Sequence, residues 1–192
     1  GLAKGAMTFI KKLTASGSAN LTFINGTSDV VFDATYKEYM FTFNNIHPSA
    51  NGARLAFQVD TGTNTNFNIT VTSSKFKAYH KEDGSASALG YDGSYDQAEG
   101  TGFQLLNAGG TGGDNDQSCS GYLHLFNPSS ATFHKHFMAV TNIAQDNDNS
   151  NHGLTSGYFN TTSDIDAIRF APGRDTGPTI LATGDICMYG IA

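Results

Sequence analysis

The sequence predicts an all-β protein: a jelly-roll-like antiparallel β-sandwich of about ten strands in a single domain. Three observations predict it. Apolar residues recur at every second position in short segments, which places them on one face of an extended strand. Clusters of Gly, Asn, Asp and Ser separate those segments and supply turn chemistry. Helical periodicity is nearly absent, and only residues 92–100 have the look of a short helical turn. Many short strands with long connections fit two packed sheets better than a meander.

Taken in order, period-2 segments fall at 8–14, 20–24, 38–46, 53–60, 67–80, 100–106, 119–127, 132–143, 154–161, 164–171 and 179–191. The first dozen residues carry the apolar Met7, Phe9 and Ile10 behind a Gly/Ala-rich lead. Residues 1–14 therefore read either as a first strand or as an assembly arm that adds to a neighbouring sheet, with 15–192 as the sandwich domain. Tyr39, Phe41 and Phe43 share one face of the third segment, Thr42 and Asn44 take the other, and residues 45–48 stop it. Leu55, Phe57 and Val59 form one inward triplet, Phe67, Ile69 and Val71 a second, and Leu123 with Leu125 begins a third. Ile168 and Phe170 continue the pattern. In the last strand Ile180 and Ala182 change phase with Ile186 and Met188 across Gly184, the mark of a bulge. Turn-rich stretches at 25–27, 49–52, 82–84, 107–117, 146–153 and 172–173 connect the segments.

A chain of 192 residues buries roughly 70% of the surface it exposes when unfolded. Only 15% of its residues are charged, yet it has 14 Phe and 8 Tyr, so it folds under a neutral polar skin rather than remaining disordered. A net charge of −6 and three arginines give no basic face for nucleic acid. No apolar run is long enough for membrane insertion. Residues 1–7 lack the apolar core of a signal peptide, and a chain starting at Gly1 is what loss of an initiator Met would leave, so synthesis in the cytoplasm without export is expected. Cys119 and Cys187 read as two buried free thiols, and they can pair only if their strands are neighbours.

Few side chains stand in patterns that carry chemistry. His134 and His136 point the same way from one strand and, with His124, could converge on a transition metal, although polar-face histidines show the same alternation. Asp146 and Asp148 open a D-x-D run like a calcium loop, but Asn151 stands where such a loop needs Gly and Gly157 where it needs Glu. Asp114-Asn115-Asp116 is a second oxygen-rich cluster, and Ca2+ is the cation these loops would take; no other cofactor is implied. The glycine-rich 109–113 lacks the Lys-Ser/Thr of a phosphate loop. No nucleophile elbow is present. The expectation is a protein that is not an enzyme. Tyr79, His80, Tyr91, Tyr95 and Tyr122, in neutral surroundings, are of the kind that stack on sugars.

Three stretches carry a family likeness: Ala34-Thr35-Tyr36-Lys37-Glu38-Tyr39 continuing to Asn45-Ile46-His47-Pro48, residues 118–130 (SCSGYLHLFNPSS), and Met188-Tyr189-Gly190-Ile191. Together they resemble small β-rich virion structural proteins of marine bacteriophages that infect cyanobacteria and pelagic bacteria. The likeness covers most of residues 34–191. It implies a component displayed on the virion as a capsid decoration or a fibre-like subunit, made in the host cytoplasm and homotrimeric by analogy. Its partners would be the major capsid protein or tail components, and a carbohydrate- or receptor-binding module of a tail fibre that touches host-surface glycans is the alternative. The resemblance supplies no catalytic residues. Attachment to the particle would be expected to vary in residues 1–14, where the likeness is weakest.

Overall fold

Alternating side chains give a strand one dry face, and two such sheets must close on each other to hide it. The structure, a computed structural model, describes residues 6–63, 65–173 and 179–192. Those residues form twelve strands: β1 (Met7–Thr14), β2 (Leu21–Ile24), β3 (Glu38–Pro48), β4 (Arg54–Thr61), β5 (Val71–Lys81), β6 (Ser87–Tyr91), β7 (Gln104–Leu105), β8 (Cys119–Phe126), β9 (Lys135–Gln145), β10 (Asn149–Phe159), β11 (Ile165–Gly173) and β12 (Leu181–Ile191). The larger sheet has the order β1-β12-β3-β8-β9-β10-β5-β6, and the smaller β2-β11-β4-β7. Every pairing is antiparallel.

This order is a jelly roll with one wing. The four-strand runs β1-β12-β3-β8 and β2-β11-β4-β7 face each other as the two halves of the eight-stranded double Greek key. Two insertions widen the first run. The hairpin β9–β10 lies between β8 and β11 in sequence, the hairpin β5–β6 lies between β4 and β7, and β10 pairs with β5 to join them. The wing β9-β10-β5-β6 thus extends past the smaller sheet.

Aromatic rings lock the two sheets together. Tyr39, Phe41 and Phe43 are buried as their alternation predicts, and Phe170 of β11 lies 5.4 Å from Phe41 and 5.3 Å from Phe43, centroid to centroid. Phe57 of β4 reaches from this cluster to the wing, 5.0 Å from Phe137 and 5.9 Å from Phe159. Tilted and edge-to-face pairs of this kind add to the stabilisation from burial alone. Beneath the wing the segment 104–112 takes the place of further strands. It accepts Thr141 Oγ1 at Leu106 O (3.0 Å) and donates Gly112 N to Ala144 O (3.1 Å).

The Gly184 bulge is present: Gly184 has φ +115°, and the β12–β3 register slips twice between Leu181 and Asp185. Several boundaries differ from expectation. β5 begins at Val71 because Phe67 adopts φ +51°, its amide donating to Asp60 Oδ2 at 3.0 Å and its ring lying under Arg169 at 4.2 Å. Only Gln104–Leu105 of the segment 100–106 is a strand. β10 starts at Asn149, inside a stretch read as turn, and β6 arises from a Ser/Ala-rich segment whose apolar alternation is confined to Leu89 and Tyr91. Residues 92–100 form no helix; Tyr95 N closes a turn on Asp92 O at 3.1 Å.

Candidate functional site: an uncharged outer sheet face

Register assembles on the outer face of β8, β9, β10, β5 and β6 what the sequence scatters. Tyr122 stands opposite Val140, Val140 opposite Leu154, Leu154 opposite Phe76, and Phe76 opposite Tyr91. Neighbouring strands are about 4.8 Å apart, so this apolar row is roughly 19 Å long. Phe76 is 47% exposed and Tyr91 54%, with the two rings edge to face at 5.5 Å. Met138 and Leu89 flank the row in the adjacent registers, and Leu89 is 81% exposed. No Asp, Glu, Lys or Arg stands on the outward face of these five strands.

Strand parity produces this face. In β5 the inward positions are Val71, Ser73, Lys75, Lys77 and Tyr79, so its cations point into the molecule and Phe76 points out. Lys75 is fully buried and donates to Leu106 O (2.5 Å), Leu105 O (3.2 Å) and Thr155 Oγ1 (2.8 Å). Burial pulls its ammonium down to about 7, against the pull of Asp92 in the other direction. Lys77 pairs with Asp92 at 3.4 Å.

Beside the apolar row lies an open groove of about 620 Å³, lined by Phe126, His136, Met138 and Tyr158 over a floor of Ser74 and Ser156. Here the structure brings the sequence-predicted histidines together on a ring. His134 stacks flat on Tyr158 at 5.3 Å, and His136 tilts over it at 6.0 Å. His124 sits between Tyr122 (5.2 Å) and Phe126 (6.1 Å), with Nδ1 bonded to the Glu38 carboxylate. Among the described residues no group of three or more His, Cys, Asp or Glu gathers to hold a metal ion.

Asp146 and Asp148 lie in the turn between β9 and β10. Asp148 takes φ +59°, donates its amide to Gln145 O (3.1 Å) and accepts Glu82 N (3.0 Å). Asp114 accepts Gln117 N at 2.8 Å through its backbone carbonyl. The aromatic set divides: Tyr91 and Tyr122 lie on the outer row, whereas Tyr79 and Tyr95 border a separate polar pocket. Cys119 and Cys187 are buried free thiols, and burial pushes the Cys119 thiol up to about 12.

The arm residues form part of the chain's own sheet. β1 pairs with β12 along its length, and a bulge between Phe9 and Lys11 turns Ile10 toward the core. Met7 and Phe9 stay exposed, Phe9 resting on Tyr189 at 5.7 Å. β1 is also one edge of the larger sheet, and β6 is the other.

Sequence reasoning missed the outer row because each strand gives it one or two residues. The signal was present in β5, where Phe76 breaks phase with Val71. Comparison with protein-family models, with curated proteins and with solved structures finds no match to this chain.

Proposed function

We propose that this chain is a non-enzymatic structural protein of a bacteriophage virion. It is displayed on the particle surface as a capsid decoration or fibre-like subunit, and it works as a homo-oligomer. The observation that carries the oligomer is the uncharged outer face. Copies of a chain with net charge −6 repel wherever acidic surfaces meet, so the outward face of the five strands, which carries no Asp, Glu, Lys or Arg, is where two copies approach at least electrostatic cost. The row Tyr122-Val140-Leu154-Phe76-Tyr91 then supplies the apolar centre that such an interface buries. The bacteriophage assignment rests on the likeness in residues 34–48, 118–130 and 188–191. A wide sandwich with a low-charge skin is compatible with crowding many copies on a shell.

Two measurements test the reading. Mass spectrometry and cryo-EM of purified source particles should find the chain in stoichiometric abundance on the surface, and particles lacking it should lose resistance to heat or low salt. Particles without it that are equally robust and adsorb normally would end the proposal. Light scattering of the purified chain tests the homo-oligomer separately, and a monomeric mass at every concentration would remove that half.

A further inference from the structure

The two edges of the larger sheet are built differently. β1 carries Lys11 and Lys12 and a bulge between Phe9 and Lys11. Charged side chains and bulges are devices that keep one sheet edge from pairing with another. β6 has neither. Its sequence is Ser-Ala-Leu-Gly-Tyr, and all five residues are exposed. Its register with β5 runs without a shift, from the pair Phe76 and Tyr91 to the pair His80 and Ser87. At 81%, Leu89 is the most exposed large apolar side chain among the described residues.

Antiparallel pairing decides which backbone groups of β6 are free. Lys81 N donates to Ala86 O (2.9 Å) and Asp92 N to Lys75 O (2.8 Å). The hydrogen-bonded pairs between them are therefore the alternate ones, Lys77 with Gly90 and Tyr79 with Ala88. The N–H and C=O of Ser87, Leu89 and Tyr91 point away from β5, to an edge that no other strand covers. Nothing crowds that edge from the inner side, where a Cβ at Gly90 would have no atom beyond its chain neighbours within 4 Å. The acids just past the strand are engaged within the chain. Asp92 pairs with Lys77 at 3.4 Å, and the Asp96 carboxylate accepts Tyr91 Oη.

Such an edge is complementary to itself. We infer that β6 pairs antiparallel with β6 of a second copy of this chain, about a two-fold axis at Leu89. Leu89 then exchanges both backbone bonds with the second copy's Leu89, and Ser87 does the same with the second copy's Tyr91. Every outward N–H and C=O of both edges is satisfied in this register. The side chains fit it as well: leucine lies beside leucine, tyrosine beside serine, and the paired strands hold no charge. The axis stands normal to the sheet, so the two uncharged outer faces lie side by side as one. Pairing at the edge depends on neither the virion assignment nor the contact through the outer row. Five residues a side make it the weaker of the two contacts, with a Kd of about 0.1–1 mM.

Residue-resolved amide exchange of the 15N-labelled full chain tests this, in the wild type and in Leu154→Lys, which charges the outer row. The Ser87, Leu89 and Tyr91 amides should exchange freely in dilute solution and slow at least tenfold between about 0.02 and 2 mM in both proteins. Leu89→Pro deletes one outward N–H and spares the β5 ladder, because proline is tolerated where its missing N–H faces away from the neighbouring strand. It should abolish the slowing at Ser87 and Tyr91 and leave the amide spectrum of the other strands as it is. Leu89→Lys keeps the backbone and sets two ammonium groups side by side at the axis, and it should abolish the slowing too. Three results overturn the inference: amides that stay fast at every concentration, slowing that is lost in Leu154→Lys, or slowing that survives in both Leu89 variants. A chain that self-associates while the three amides stay fast loses the edge and keeps the outer-row contact. A chain whose three amides slow while Leu154→Lys sediments as wild type keeps the edge and loses the outer-row contact.

Discussion

Lys75 shows how one buried cation sets a pH dependence. Its folded-state pKa of about 7 lies below the unfolded value of 10.5, so between those values the unfolded chain binds the extra proton. Its destabilising contribution is therefore complete below pH 7 and fades as pH rises toward 10.5. At about 1.36 kcal/mol per pKa unit the penalty is roughly 4–5 kcal/mol. Lys75→Met should stabilise the protein at pH 7, since Leu106 O keeps Thr141 and Leu105 O keeps the Gln104 amide. The gain over wild type should shrink steadily from pH 7 to pH 10 in urea titrations, and a gain that stays constant would contradict the account. Gly184 makes a second demand at this scale. With φ +115° and Asn45 O only 2.5 Å from where a Cβ would stand, Gly184→Ala should lower stability by at least about 1–3 kcal/mol in the same titration.

Among the elements, β4 and β11 couple the jelly roll to its wing. Phe57 touches Phe137 and Phe159 on one side and Phe170 on the other, so Phe57→Ala should cost about 3–5 kcal/mol by denaturant unfolding, the range for a buried aromatic. The edges should open first. β6 is exposed along all five of its residues and pairs only with β5, while β3 and β8 lie inside the sheet. In dilute solution hydrogen exchange should find the least protection in β6, then β1, and the most in β3 and β8. Equal protection in β6 and β3 would mean that the β6 edge is covered by something else, such as a second copy.

For the whole molecule, the outer face makes a direct prediction. Leu154→Lys places a charge in the middle of the row, where Leu154 is already 40% exposed, so the monomer's stability should change by less than about 0.5 kcal/mol. Self-association measured by analytical ultracentrifugation should weaken at least tenfold. A variant that associates as wild type would place the interface elsewhere, with the β1 edge and its Met7 and Phe9 as the next surface to probe.

Much of the fold was legible because alternation is a local property. The triplets Tyr39-Phe41-Phe43 and Leu55-Phe57-Val59 declare an inward face within five residues each, and the Gly184 bulge announces itself as a change of phase. β6 was not legible, since Leu89 and Tyr91 alone alternate in Ser87–Tyr91 and the segment becomes a strand because β5 offers it an edge. The hairpin turn at Asp146–Asp148 hid the start of β10 for a related reason. Asn149 and Asn151 look like loop residues until their pairing with Gln145 and Ile143 makes them strand.

The sequence by itself determined that the chain is an all-β sandwich, which strands carry the aromatic core, and that its surface is acidic overall and sparsely charged. Only the tertiary structure decided the winged jelly-roll order, the row from Tyr122 to Tyr91, the meeting of His134 and His136 on Tyr158, and the open edge at β6. The physical reason is range. Side-chain parity is fixed by the bond geometry of neighbouring residues, whereas a surface shared by five strands depends on register between residues as far apart in the chain as Phe76 and Leu154, which no local pattern encodes.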